Sequence, residues 1–172
     1  MRKRPKRQGD NIFEYMDNAF FSKNLIKGKI AQIIFEQMFR EQGEYTVIPF
    51  GYENILPEIF PQRNNFEGAQ KAIDNIRNAP DYTLISAKKE KVYLVEVKYR
   101  KELNIEEIKK IAEKQIQRWS PSCIFVATKD GFYFDLCSGI LRNNKISKLS
   151  EKTINKELQL KYQGLLNEFE QK

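Results

Sequence analysis

Two apolar runs on either side of a short charged turn constrain this chain more than any other feature. Residues 81–87 read DYTLISA and residues 92–100 read VYLVEVKYR, flanking a polar KKEK. β-branched and aromatic residues at this density, bounded by turn residues, predict two strands joined as a hairpin. The second run is apolar at Val92, Leu94, Val95 and Val97, yet it carries Glu96 and Lys98. Residues two apart in a strand share a face, so these two charges point the same way. Charges in such a run are costly to bury unless they are paired or bound to a metal ion. If the turn centres between Lys88 and Lys89, Asp81 lies directly opposite Glu96, with the two side chains about 5 Å apart on one face. Two carboxylates that close repel each other, and a divalent cation relieves the repulsion. Lys98 beside them can orient a water, act as a base or neutralise phosphate charge.

The rest of the chain reads as helices alternating with strands. Residues 11–24 hold Ile12, Phe13, Met16, Phe20 and Phe21 near helical spacing, a short helix or docking segment. A stronger helix spans 26–42, where Ile30, Ile33, Ile34, Met38 and Phe39 recur at three- and four-residue steps before Gly43. Tyr45, Val47 and Ile48 mark a first strand. Pro57, Pro61, Asn64-Asn65 and Gly68 make 53–68 an irregular insertion, and 69–78 a short helix follows. After the hairpin, Ile105, Ile108, Ile111, Ala112, Ile116 and Trp119 predict an amphipathic helix over 105–119 that Pro121 ends. SCIFVAT and FYFDLC form a second hairpin around Lys129-Asp130-Gly131. A final amphipathic helix from Ser150 to about Phe169 carries Ile154, Leu158, Leu165 and Phe169. The order α-β-(α)-β-β-α-β-β-α, with near-continuously apolar strands, argues for an α/β fold: a mixed central sheet flanked by helices on both faces.

Composition removes whole classes of chemistry. The 172 residues include no histidine, which excludes Ser-His-Asp and Cys-His nucleophile systems and imidazole zinc sites. The length suits one domain with its own core. Lys and Arg number 30 against 23 acids, a net charge of +7. Arg2, Lys3, Arg4, Lys6 and Arg7 account for five of the basic residues, so the remainder is 25 against 23, or +2. A basic tail over 1–10, disordered by its own repulsion, is expected ahead of a single domain over 11–172. Two readings of the tail stand: a grip on phosphates or a solubilising terminus. Cys123 and Cys137 lie in apolar surroundings without metal-ligand spacing and read as reduced core residues of a cytoplasmic protein. No apolar leader and no membrane-length apolar window is present, so no membrane partner is expected.

Pro80-Asp81, followed fifteen positions on by Glu96-Val97-Lys98, resembles the PD-(D/E)XK motif of the restriction-endonuclease-like nuclease superfamily. The strand placement matches: the Asp opens one strand and the E-x-K lies on the next. The resemblance covers residues 26 to about 137, with the C-terminal helix over 150–170 outside it. It implies a restriction-endonuclease-like sheet, Asp81, Glu96 and the Val97 carbonyl as Mg²⁺ ligands with Mn²⁺ able to substitute, and Lys98 supporting the attacking water. In archaeal Holliday junction resolvases and their relatives the first helix reads roughly G-x-x-A-E. Here Gly28-Lys29-Ile30-Ala31 is followed by Gln32 instead of an acid. Glu36, four residues on and on the same helical face, is the candidate replacement ligand. The alternative is a plain polar residue among Gln32, Gln37 and Arg40. Some branches carry Q-x-x-x-Y on the helix after the E-x-K strand, which Gln115-x-x-x-Trp119 echoes. That makes Gln115 and Gln32 candidate accessory residues, against the reading of a surface glutamine beside a core tryptophan. Tyr99-Arg100-Lys101 are either phosphate contacts or a solvated strand end.

The function so implied is metal-dependent hydrolysis of phosphodiester bonds, in DNA ahead of RNA. A chain with no separate reading domain suits a structure-selective, junction-resolvase-like nuclease acting as a homodimer, since two strands need two sites. Membership of a larger defence or mobile-element complex is a further option. The rival is a catalytically inactive module of the same fold that binds nucleic acid or protein without cutting, which Gln32 in place of the acid keeps open.

Overall fold

The computed structural model describes residues 8–51, 78–86, 88 and 90–170. The expected insertion at 53–68, nearly all of the expected helix at 69–78, and the five basic residues of the tail lie outside these. The fold is α/β, a mixed five-strand sheet with helices on both faces.

Helix α1 runs unbroken from Gln8 to Gln42. It merges the two helices expected at 11–24 and 26–42, because the polar Ser-Lys-Asn between them contains no breaker. It also takes in residues 8–10, which sequence assigns to the tail. Gly43 ends it in the left-handed region, φ +76°, and its N–H donates to the Arg40 carbonyl at 3.0 Å. The buried face is Ala31, Ile34, Phe35, Met38 and Phe39. Ile33, expected inside, is 57% exposed, and Phe35 takes its place in the core. The buried arc is wide enough for two successive residues per turn, Ile34-Phe35 and Met38-Phe39, and the aromatic contacts of Phe35 with Phe39, Tyr82 and Phe125 set a rotation that leaves Ile33 outside it.

The strands are β1 (Tyr45–Pro49), β2 (Tyr82–Ser86), β3 (Lys91–Tyr99), β4 (Ser122–Thr128) and β5 (Gly131–Leu136), adjacent in chain order. Only β3 and β4 are parallel. Their crossover is helix α2 (Ile105–Arg118), capped by the Asn104 side chain, which accepts from the Glu106 and Glu107 N–H groups. β4 is buried along its whole length, as a central strand covered on both faces must be. The β4–β5 turn closes on Gly131, φ +138°, with the Thr128 hydroxyl accepting from Asp130 N–H and donating to the Gly131 carbonyl. A short helix α3 (Cys137–Asn143) follows β5 directly. Sequence reasoning misses it because its seven residues are too few for a period.

The last helix, α4 (Lys156–Glu170), starts later than expected, since Ser150 and Asn155 use their polar groups to build a turn first. It buries Tyr162 and Leu166, while Leu165 and Phe169 are exposed. One sheet face, with Val95, Val97, Phe125 and Phe132, packs under α1 and α4. The other, with Ile124 and Val126, packs under α2 and α3. Among the described residues, no helix is long and apolar enough to cross a membrane.

A polar clamp ties α4 to α1. Lys161 donates to both Glu41 oxygens at 2.7 Å, and the Tyr162 hydroxyl donates to Glu41 at 2.8 Å. The Lys161 and Tyr162 hydrogen bonds hold the Glu41 carboxyl below its ordinary range. A depressed carboxyl adds stability above its unfolded pKa and loses it as pH falls through the folded one. Glu41→Gln therefore lowers the melting temperature slightly at neutral pH, and its gap to wild type closes in acid. A gap that stays constant down to about pH 3 would show that the carboxylate charge is irrelevant to the clamp.

Candidate functional site

The register of the first hairpin sets the site. Tyr82 pairs with Val95 and Ser86 with Lys91, the offset that a turn centred between Lys88 and Lys89 requires. Asp81, one residue before β2, therefore stands level with Glu96. Its backbone is pinned by two donors, since the Asp81 carbonyl accepts from Phe50 N–H at 2.9 Å and Gly51 N–H at 3.1 Å. β2 starts at Tyr82, whereas β3 continues past that level to Tyr99. Leu94 and Arg100 turn their N–H groups toward the β4 side. The Val97 N–H, on the alternate edge, meets the Asp81 side chain instead of a strand: Oδ2 accepts from it at 2.7 Å. In a ladder the N–H and C=O of one residue face the same edge. The Val97 carbonyl thus lies on the edge that Asp81 occupies.

Each carboxylate has an amide beside it. Gln32 on α1 donates from Nε2 to Asp81 Oδ1 at 2.6 Å. Gln115 on α2, only 5% exposed, donates from Nε2 to Glu96 Oε2 at 3.1 Å. The other Glu96 oxygen, Oε1, pairs with the Lys98 ammonium. The two amides come from helices on opposite faces of the sheet, and they meet where β2 leaves β3 unpaired among the described residues. The Gln115 Oε1 is buried without a hydrogen-bond partner among the described residues.

The electrostatics follow from this crowding. Burial, and next the Glu96 charge, push the Asp81 carboxyl up to about 6, against the pull of Lys98, the Val97 N–H and Lys29. Burial alone would lower the Lys98 pKa, but Glu96 and Asp81 together outweigh it and raise it. Lys98 is therefore an ammonium at neutral pH, a donor and not a base. Two carboxylates are thus crowded together, with Lys98 in contact with Glu96 and both Lys98 and Lys29 acting on Asp81.

Glu36 is not with them. Its Oε1 accepts from Arg40 at 2.8 Å and its Oε2 from the Tyr82 hydroxyl at 3.3 Å. Tyr82 also reaches the Gln32 carbonyl at 3.2 Å. The phenol thus stands between the helix turn of Glu36 and that of Gln32. Among the described residues no group of three or more His, Cys, Asp and Glu side chains is placed to hold a metal ion. The oxygen donors that converge are Asp81, Glu96 and the Val97 carbonyl. Such hard oxygens suit Mg²⁺, which needs only one or two carboxylates because it keeps several waters. Trp119 caps α2 through its N–H to the Gln115 carbonyl, and meets Phe50 edge-on at 5.5 Å. It braces the segment that holds Asp81.

Sequence reasoning did not foresee the Phe50 and Gly51 anchor or the Tyr82 hydroxyl. Neither has a local signal, since both depend on segments brought together from distant parts of the chain.

No protein-family model matches this chain, and no curated protein matches it. Among solved structures it is similar to Hjc of Archaeoglobus fulgidus, a Holliday junction resolvase from an archaeal hyperthermophile. The identity is 13% and the TM-score 0.36, over 78% of this chain and 98% of that one. A likeness that slight carries no functional argument, so function has to be argued from the side chains.

Proposed function

We propose that this chain is a metal-dependent nuclease of the PD-(D/E)XK type that hydrolyses phosphodiester bonds in DNA. One observation carries the reading: the Asp81 carboxylate, held by the Val97 N–H at 2.7 Å, stands level with the Glu96–Lys98 pair at the place where β2 stops and β3 goes on. Asp81, Glu96 and the Val97 carbonyl would hold Mg²⁺, and Mn²⁺ would substitute. When bound, the ion supplies a Lewis acid for the phosphate and lowers the pKa of a bound water. The chain's own residues do the rest. Lys98 donates to the attacking water or to the developing charge on the phosphate. Gln32 and Gln115 set the orientations of Asp81 and Glu96 by hydrogen bonds to one oxygen of each. Phe50 and Gly51 fix the Asp81 backbone. Glu36 takes no part as a ligand in this arrangement. Its nearest polar partners are Arg40 and Tyr82, so it supports the helix face through them.

Action on branched DNA as a homodimer is the finer form of the proposal, since one such site cuts one strand. The second reading, a module that binds nucleic acid without cutting, is favoured by a specific feature: all four carboxylate oxygens already accept from N–H groups of the chain, one of them Gln32.

Incubation with linear, nicked, branched and single-stranded DNA, in Mg²⁺, Mn²⁺ or chelator, tests both. Cleavage in either ion, absent in chelator and abolished by Glu96→Ala or Asp81→Ala in folded protein, is the expected result. Wild-type-like cutting by Glu96→Ala ends the proposal. DNA binding without cleavage, together with no calorimetric uptake of Mg²⁺, selects the module.

A further inference from the structure

Beside the carboxylates a groove of about 470 Å³ runs between α1 and the end of β3. Its walls include Gly28, Gln32, Lys98, Arg100 and Lys101, with Glu107 of α2 at its side. Three features of these walls bear on what the groove takes.

The first is Gly28. It lies inside α1, with no positive φ, and a Cβ built there meets nothing within 4 Å among the described residues. Neither backbone conformation nor packing calls for glycine. A glycine inside a helix costs stability relative to alanine, by backbone entropy. The space that its missing side chain leaves belongs to the groove. The second is Arg100. One guanidinium nitrogen donates to the Tyr99 carbonyl at 2.7 Å and another pairs with Glu107. The third nitrogen, Nε, is buried and has no acceptor among the described residues. Arg100 lines the groove, and a guanidinium there is suited to a phosphate, which arginine takes in a forked geometry. The third is the sign of the charge: Lys98, Arg100 and Lys101 line the groove with one acid, Glu107, and of the three cations Lys98 is paired with Glu96 and Arg100 with Glu107.

We propose that this groove seats the sugar–phosphate backbone of the nucleic acid. The strand lies against α1 at Gly28, in the space the absent side chain leaves, and a phosphate takes Arg100 over from Glu107. The inference rests on the nucleic-acid reading above and gives that reading a track leading to the carboxylates.

The test compares two glycines of the same kind. Gly164 on α4 is also helical, also open around a built Cβ, and does not line the groove. Binding of fluorescent DNA and RNA duplexes is measured in Ca²⁺, with the tighter of the two read for every variant, alongside the melting temperature. Gly28→Leu and Gly164→Leu should both melt at or above wild type, because leucine is the better helix former. Gly28→Leu should weaken binding at least tenfold, and Gly164→Leu should leave it unchanged. Arg100→Ala should weaken binding and flatten its salt dependence, since a phosphate contact contributes to the salt slope. Glu107→Gln should tighten it by freeing Arg100. Equal binding by Gly28→Leu and wild type overturns the proposal, and so does a wild type that binds neither duplex. A protein that binds with this variant pattern and never cleaves keeps the groove and loses the nuclease, so the two failures are distinguishable.

Discussion

In chelator, Asp81→Asn should melt well above wild type at about pH 8, and in Mg²⁺ it should lose all cleavage. The folded state lifts the Asp81 carboxyl to about 6 from an ordinary 3.8, through burial and through Glu96. The folded protein therefore binds that proton more tightly than the unfolded chain does. Stability then falls as pH rises from about 4 to about 6 and stays low above, the reverse of a salt-bridged carboxylate. A shift of this size corresponds to roughly 3 kcal/mol of strain in the ion-free protein at neutral pH. Asparagine removes the charge and can keep both hydrogen bonds. Its Oδ1 still accepts from the Val97 N–H, and its Nδ2 is accepted by Gln32 once that amide turns over. The gain should vanish at about pH 4, where the wild-type acid is already neutral. Melting curves from about pH 4 to pH 8 in chelator decide it. A gain that is the same at both ends, or none at all, removes the claim that Asp81 is held under electrostatic strain. A site that costs stability to keep is what a functional constellation looks like, whereas a structural ion pair would give the opposite sign.

Lys98→Met should be the most destabilising single change at the site, by about 3–5 kcal/mol at neutral pH, because it leaves buried carboxylate charge without its adjacent cation. Lys98 is the ammonium in contact with Glu96 and the leading counter-charge to Asp81. Methionine preserves most of the stem's packing, so the loss reports the charge more than the volume. The cost should shrink in acid, as Asp81 takes up its proton, and shrink again in the Asp81→Asn background. Urea unfolding of wild type, the two single variants and the double variant forms the cycle. Additive costs would mean that Asp81 and Lys98 do not act as one electrostatic unit, and the proposed site would lose its third member.

Much of this was legible from residues alone, for a physical reason. Glu96 and Lys98 sit two apart in an apolar strand, and the period of a strand is short and rigid, so their common face follows from the spacing. The hairpin offset that puts Asp81 level with Glu96 follows once the turn is centred between Lys88 and Lys89. The observed pairing of Tyr82 with Val95 has that offset. Gly43 as the stop of α1, Asp130-Gly131 as a turn and Pro121 as the end of α2 were equally readable, because glycine and proline act through their own backbone angles.

Helix rotation was less readable. The inward arc could hold Ile33-Ile34 or Ile34-Phe35, and the aromatic neighbours of Phe35 on β2 and β4 settle it for Ile34-Phe35. The same freedom bears on Glu36, one turn of helix from Gln32. The Tyr82 phenol occupies the interval, and Arg40 takes the charge of Glu36.

What the chain's order alone determined is the short-range part: which segments extend, which coil, and which charges share a strand face. Backbone periodicity and turn chemistry act over a few residues and need nothing else. What only the tertiary structure decided is how far each element runs beside its neighbour and what comes to rest in the space left over. β2 begins one residue after Asp81 whereas β3 runs on past that level, so among the described residues an unpaired edge opens there. Gln32, Gln115 and the adjacent Phe50 and Gly51, from three distant places in the chain, converge on it. Packing of whole helices against the two sheet faces sets those meetings, and no local spacing encodes them.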